Sequence, residues 1–262
     1  MLARARQAID YRDLLYNLVV RDLKVRYKHS FLGFFWSLLN PLLLMGVFTF
    51  VFTQLLPASA KPAYPIFFLS ALLPWNWCSA SVTGTLGSIV NSGYLIKKVY
   101  FPREMLPLSV VLSNMVNFIL SLPALLIFIL VLRPNFTIHM LWLPLLIFIQ
   151  AMFLTGLGFF LSALNVFFRD TSVLVEVGLS AWFFLTPIIY SAEDVVGQYA
   201  NWMYYVNPMA SIIAAYRTIF YYGSSLGPDP IFMLRTVITS AAVFAFGYFF
   251  FMHFSKKFGE EI

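Results

Sequence analysis

Charged residues fall in clusters along this chain, and the stretches between the clusters are long and apolar. A helix needs about 20 apolar residues to cross ~30 Å of hydrocarbon at 1.5 Å per residue. Six stretches satisfy that length: 34–56, 66–90 inside the uncharged run 62–96, 105–132, 141–166, 171–190 and 236–255. The fifth holds the one carboxylate found within a span, Glu176. Between the fifth and sixth, residues 193–230 include another apolar run over 195–216, broken by Asn207-Pro208 and followed by the glycines and prolines of 223–230. Two short helices that dip into the outer leaflet and return are expected there, with a plain extracellular cap as the other reading. Broken backbone at membrane depth is tolerated only inside protein or along a cavity, so this segment is the gate candidate.

Residues 9–30 carry a different pattern. At 100° per residue, Asp13, Arg21, Lys24 and Lys28 share one arc and Leu14, Leu15, Leu18 and Val19 another, although Asp22 and Arg26 intrude on the apolar side. The pattern predicts an amphipathic helix lying on the membrane surface. The apolar run that follows is too long for a signal core and comes after a long charged segment, so it reads as a first span and not a cleaved signal. The expected architecture is all-α and integral to the membrane. It comprises an interface helix in 1–30, five spans in 31–192, gate helices in 193–230, and the sixth span with its tail in 231–262.

Composition agrees with lipid as the solvent. The 262 residues are 61% hydrophobic and 11% charged, against roughly 25% charged in a soluble domain. The net charge of +6 would suit a nucleic-acid partner, but its placement follows the spans. Of 17 Lys and Arg, Lys61, Arg133, Arg217 and Arg235 lie on one side of the predicted membrane and all others on the opposite side. The positive-inside rule therefore puts both termini in the cytoplasm, and an even number of spans follows.

Candidate chemistry is sparse. Cys78 stands alone, and His29, His139 and His253 have no metal-ligand spacing. The nearest glycine pair, Gly84 and Gly87, leads into Ser88-Ile89 and makes no phosphate-binding loop, so ATP hydrolysis is not expected from this chain. A proton-coupled carrier buries several ionisable groups near the midplane, and only Glu176 is available; seven residues after Arg169, it can snorkel or pair. Aromatic residues are abundant, 19% of the chain. Many belong to the interface belts of any membrane protein. Rings with polar edges also suit a passage for sugars, and the cluster from Tyr190 to Tyr222 fits that best.

Four strings carry a family resemblance: Arg21-Asp22-Leu23-Lys24-Val25-Arg26-Tyr27 with Leu32-Gly33, Trp36 and Asn40-Pro41; Ile96-Lys97-Lys98-Val99-Tyr100-Phe101-Pro102-Arg103-Glu104; Phe167-Phe168-Arg169-Asp170; and Thr186-Pro187-Ile188-Ile189-Tyr190 followed by Asn207-Pro208. In these the chain resembles the membrane subunit of ABC-2 type polysaccharide exporters, which move lipid-linked O-antigen, teichoic acid or capsule chains. The resemblance implies a homodimer in the bacterial cytoplasmic (inner) membrane, driven by two copies of a separate ATPase subunit that binds ATP and Mg, with no cofactor in this chain and no nucleic acid. It implies a coupling element near 91–104, with Lys97, Lys98, Tyr100, Phe101 and Arg103 toward the ATPase and Arg21, Lys24 and Arg26 as a second contact. The residues alone leave Lys97, Lys98 and Arg103 equally suited to anionic headgroups. For a channel on the two-fold axis lined by the first and fifth spans, the channel and gate candidates are Trp36, Phe48, Trp182, Tyr190, Tyr199, Trp202 and Tyr205. An exporter of small hydrophobic compounds is the alternative, and a membrane-embedded transferase or flippase a more distant one.

Overall fold

The computed structural model of the protein describes residues 11–28, 33–55, 61–132, 138–191, 199–223 and 229–261, and every regular element among them is helical. In chain order these are α1 (Arg12–Tyr27), α2 (Trp36–Phe50, extended by a π-helical turn Val51–Leu55), α3 (Tyr64–Leu86), α4 (Gly93–Lys98), α5 (Met105–Leu132), α6 (Leu143–Phe167, preceded by a 3-10 segment Ile138–Trp142), α7 (Thr171–Leu185), α8 (Tyr199–Val206), α9 (Pro208–Arg217, extended by Thr218–Tyr222), α10 (Pro230–Phe254) and α11 (Phe258–Glu261). Among the described residues, five stretches are long and apolar enough to cross a membrane: Trp36–Leu55, Tyr64–Leu86, Met105–Leu132, Ile138–Phe167 and Pro230–Glu261.

The stretch 171–190 forms a shorter helix than its apolar run predicts. α7 stops at Leu185 after 15 residues, about 22 Å. Pro187 is the cause, because its ring disfavours helical backbone at the preceding residue, and Thr186 is extended at φ −105° and ψ 133°. α10 instead starts earlier than predicted. Asp229 caps it, accepting a hydrogen bond from the Ile231 N–H at 2.8 Å, and Pro230 occupies the first turn, where no N–H is missed.

α3 is the centre of the bundle. Its sequence is apolar all round, which suits a helix surrounded by protein, and it packs against α2, α5, α6, α7 and α9. Neighbouring helices add side-chain bonds to its carbonyls: Gln150 of α6 donates to the Pro74 carbonyl at 2.8 Å, and Asn165 donates to the Leu86 carbonyl at 2.9 Å, satisfying an orphan group at the helix end. Ala63, just ahead of α3, holds the left-handed conformation at φ 50° and ψ 48°. Ala63→Gly removes a Cβ penalty of about 1 kcal/mol and is expected to raise the unfolding midpoint in detergent by a few degrees.

The most extensive helix pair is α6 with α10. Gly156 and Gly247 allow it: a Cβ on Gly247 would fall into the Gly156 carbonyl, and one on Gly156 would meet the backbone of Phe244. Between membrane helices, where lipid is as apolar as leucine, such close backbone approach is a main source of association.

A second, smaller core lies at the end of the bundle that carries most of the basic residues. Leu18, Ile96, Phe101, Met105, Phe251 and Phe258 are among its buried members. α1 contributes Leu18 and packs along α5. Asp22 accepts from Ser109 Oγ at 3.4 Å and Tyr27 donates to Asn117 Oδ1 at 2.6 Å, so the contacts advance together along both helices. Asp22, out of place on a lipid-facing arc, is thereby given a polar partner on α5 and a salt bridge to Arg21 at 2.8 Å.

Candidate functional site

At the basic end, α4 and the turn after it stand on the second core. Lys97, Lys98, Val99 and Tyr100 are exposed, Tyr100 to 94%. Lys98 donates to the Tyr94 hydroxyl and lies over its ring at 4.1 Å from the centroid. Phe101 corrects the expectation that it faces a partner: its ring is buried in the second core with Leu18 and Phe258, where an apolar side chain is most stable. Arg103 Nη1 donates to the Ser255 carbonyl and so ties the loop to the tail. Arg21, Lys24 and Arg26 are exposed on α1. Lys97, Lys98 and Tyr100 thus form a rigidly mounted projection whose base joins α1, α5, α10 and α11.

At the opposite end the Thr186-to-Tyr190 string and Asn207-Pro208 prove to be one structure. Asn207 caps α9 by accepting from the N–H groups of Met209 and Ala210 at 3.1 and 3.3 Å. The same oxygen accepts from Trp182 Nε1 at 2.9 Å, while Asn207 Nδ2 donates to Thr186 Oγ1 at 2.9 Å. Pro208 occupies the first turn of α9, where its missing N–H costs nothing. Of the interrupted run, the described residues form two short helices, α8 and α9, split at Asn207-Pro208, while 195–198 lie outside the described residues.

Arg217 completes this end. It is 3% exposed, donates from Nη1 to the Tyr190 carbonyl at 3.0 Å and from Nη2 to the Ile188 carbonyl at 2.5 Å, and stacks over Phe67 at 3.8 Å. Among the described residues it has no carboxylate partner. Arg235 plays a similar part nearer the surface. It donates to the Tyr204 carbonyl at 3.1 Å, near the C-terminal end of α8 where a cation complements the helix dipole, and lies over the Tyr205 ring at 4.5 Å.

The channel candidates are dispersed. Trp36 is half-exposed at the start of α2, and Phe48 stacks against Phe68 at 4.7 Å. Trp182 is occupied by Asn207 and packs edge-on against Trp75 at 5.6 Å. Tyr190 donates from its hydroxyl to the Phe184 carbonyl at 2.9 Å, and Tyr205 is exposed. The side chains of Tyr199 and Trp202 lie outside the described residues. Glu176 is exposed on α7, and among the described residues no ion pair joins it to Arg169.

Three features escaped the sequence reading. Arg217 was counted with the external charges, although the apolar residues on both sides of it, from Ile212 to Phe220, signal burial. Gly156 and Gly247 carry no signal until α6 and α10 are paired. The third is a groove of about 600 Å³ between α2, α3 and α5, closed at one end by α1. Its asparagines come from three helices whose relative rotation no single stretch reveals.

An apolar multi-helix bundle with a projecting basic turn at one end and a broken-helix hairpin at the other has the length and composition of a multi-pass membrane protein. Residues 13–221 match the ABC-2 type transporter membrane family, and the chain belongs to that family. It is 39% identical over 90% of its length to an O-antigen export system permease protein, RfbA, of Myxococcus xanthus, covering 91% of that protein. Identity to an RfbA of Klebsiella pneumoniae is 37% over 81% of the chain and 82% of that protein. The polysialic acid transport protein KpsM of Escherichia coli is 21% identical over 76% of the chain and 78% of its own length.

Proposed function

We propose that this chain is the channel-forming membrane subunit of a bacterial exporter for lipid-linked polysaccharide of the O-antigen or teichoic-acid kind. It sits in the cytoplasmic (inner) membrane with both termini inside, α7 acts as a short fifth crossing that brings the spans to six, and α8 with α9 forms the outer gate. Two copies pair about a two-fold axis, since cyclic pairs are the commonest assembly. Two ATPase subunits bind ATP and Mg beneath them. Relatives named for O-antigen export support the polysaccharide part.

The observation that carries the reading is the exposed turn 97–100 on its buried anchor Phe101. A loop meant only for headgroups needs charge but no rigid mounting, whereas a lever that transmits a stroke must not bend. The uncovered apolar faces of α2 and α7, including Val47, Phe50, Val177 and Phe184, support these two helices as the pairing and channel surface.

Co-purification from native membranes tests the reading. One ATPase subunit per membrane subunit is expected. Tyr100→Ala with Lys97→Ala should weaken that association at least tenfold, as loss of an aromatic anchor costs about 2 kcal/mol. Both side chains are exposed, so folding is spared. Unchanged association and export in that variant would remove the turn from the coupling path.

A further inference from the structure

The groove between α2, α3 and α5 is polar where a membrane protein is ordinarily apolar. Asn40 of α2, Asn76 of α3 and Asn117 of α5 meet along it, one carboxamide from each of three spans, with Asn114 beside them. α5 has risen about 18 Å from Met105 by Asn117, well into the hydrocarbon. Carboxamides at such depth normally hydrogen-bond across helices. Here the side chains of Asn40 and Asn76 have no hydrogen bond to any described residue. Asn114, 2% exposed, leaves its Oδ1 without a partner, and Asn117 leaves its Nδ2. An uncompensated buried polar group costs kilocalories in an apolar surround, so Asn114 Oδ1 and Asn117 Nδ2 favour a polar occupant, and the exposed Asn40 and half-buried Asn76 turn two more carboxamides toward the same groove.

The groove's chemistry limits what that occupant is. Among the described lining residues the one charged group is Arg26, so neither a cation nor a multiply charged anion is matched by its walls. A carboxamide donates and accepts at once, and so does a sugar hydroxyl. Trp36, 46% exposed on the same wall, offers a flat face to the C–H surface of a sugar ring. A volume of about 600 Å³ lies within the range of small-molecule sites and has room for a few sugar units.

We propose that this lateral groove is a saccharide-binding site, which holds neutral sugar units of the transported glycan beside the bundle before or during export. The proposal rests on the reading of the chain as a glycan exporter and adds to it a polar site walled by α2, α3 and α5. Asn40, Asn76 and Asn117 supply the hydroxyl contacts, and Trp36 supplies the stacking face. Tyr27 closes the end of the site through its hydrogen bond to Asn117, which couples occupancy to the position of α1.

Photocrosslinking in the assembled exporter tests this in cells that make the glycan. A benzophenone amino acid is placed at Thr83, exposed on the groove wall, and in a second strain at Phe184, exposed on α7 facing the proposed channel. Adducts are identified by glycan staining and mass. Glycan adducts at both positions are expected, with the Thr83 adduct falling at least fivefold in Asn40→Leu/Asn76→Leu while the Phe184 adduct persists and certifies a folded, working complex. A glycan adduct at Phe184 alone overturns the groove site and leaves the exporter reading standing. Phospholipid or a second copy of the chain as the Thr83 adduct overturns it as well. Glycan at neither position overturns both readings.

Discussion

Gly247→Leu is expected to abolish the folded protein. The new Cβ would fall into the carbonyl of Gly156 and the rest of the side chain would have nowhere to go, so α10 must separate from α6 along their shared length. Overpacking in a side-chain core costs about 1 to 3 kcal/mol because neighbours can rotate away. Here the neighbour is backbone, which cannot, and the cost should meet or exceed the upper figure. In lipid no hydrophobic force holds the pair together once close contact is lost. Yield of monodisperse protein in mild detergent should drop to near background. Gly178→Leu serves as the control, since nothing lies near the added Cβ on α7. Equal loss in both would point to a general effect of leucine, and recovery of Gly247→Leu at normal yield would show that this helix contact is dispensable.

Arg217→Met is the other large effect. Removing the guanidinium strips the donors from the Ile188 and Tyr190 carbonyls, both held beside a buried strand of chain that α7 can no longer continue as helix. A buried polar group left unsatisfied costs roughly 1 to 3 kcal/mol, so a net loss of about 3 kcal/mol is expected after the relief of burying no charge. Its reach is functional, because Arg217 belongs to the short-helix hairpin and its acceptors belong to the end of α7. Cutting this clamp should release the proposed gate from the proposed channel wall. Export is expected to fall at least tenfold with the ATPase still bound at the other end of the bundle. Arg217→Lys should recover only part of it, since a single ammonium cannot bridge two carbonyls and stack on Phe67 as a planar guanidinium does. Normal export by Arg217→Met would separate the clamp from function.

Much of the fold was legible because lipid imposes a simple rule. Span length follows from bilayer thickness, and backbone groups must be satisfied within the helix, so the uncharged stretches over 105–132 and 66–90 translate almost directly into α5 and α3, the latter running over Tyr64–Leu86. Local breakers were legible too. Asn207-Pro208 splits α8 from α9 because an amide that caps and a proline that cannot donate both favour a helix start. The same rule applied to Pro187 accounts for the early end of α7, where the apolar run had suggested five more residues.

The candidate site divides along the same line. That 97–104 is a basic and aromatic stretch between spans was readable from its residues, but Tyr100 and Phe101 are adjacent aromatics and nothing local tells which projects. Packing decided it: Phe101 is buried in the core that also holds Leu18 and Phe258, which lie far away in sequence, and Tyr100 is 94% exposed. Arg217 likewise looked like one more external charge until α9 turned it onto the carbonyls after α7. The hydrocarbon sets which residues enter the membrane one segment at a time, so that part is written in composition and spacing. Helix rotation and close approach depend on contacts between segments, which is why the Gly156–Gly247 crossing, the Arg217 clamp and the asparagine groove exist only in the assembled bundle.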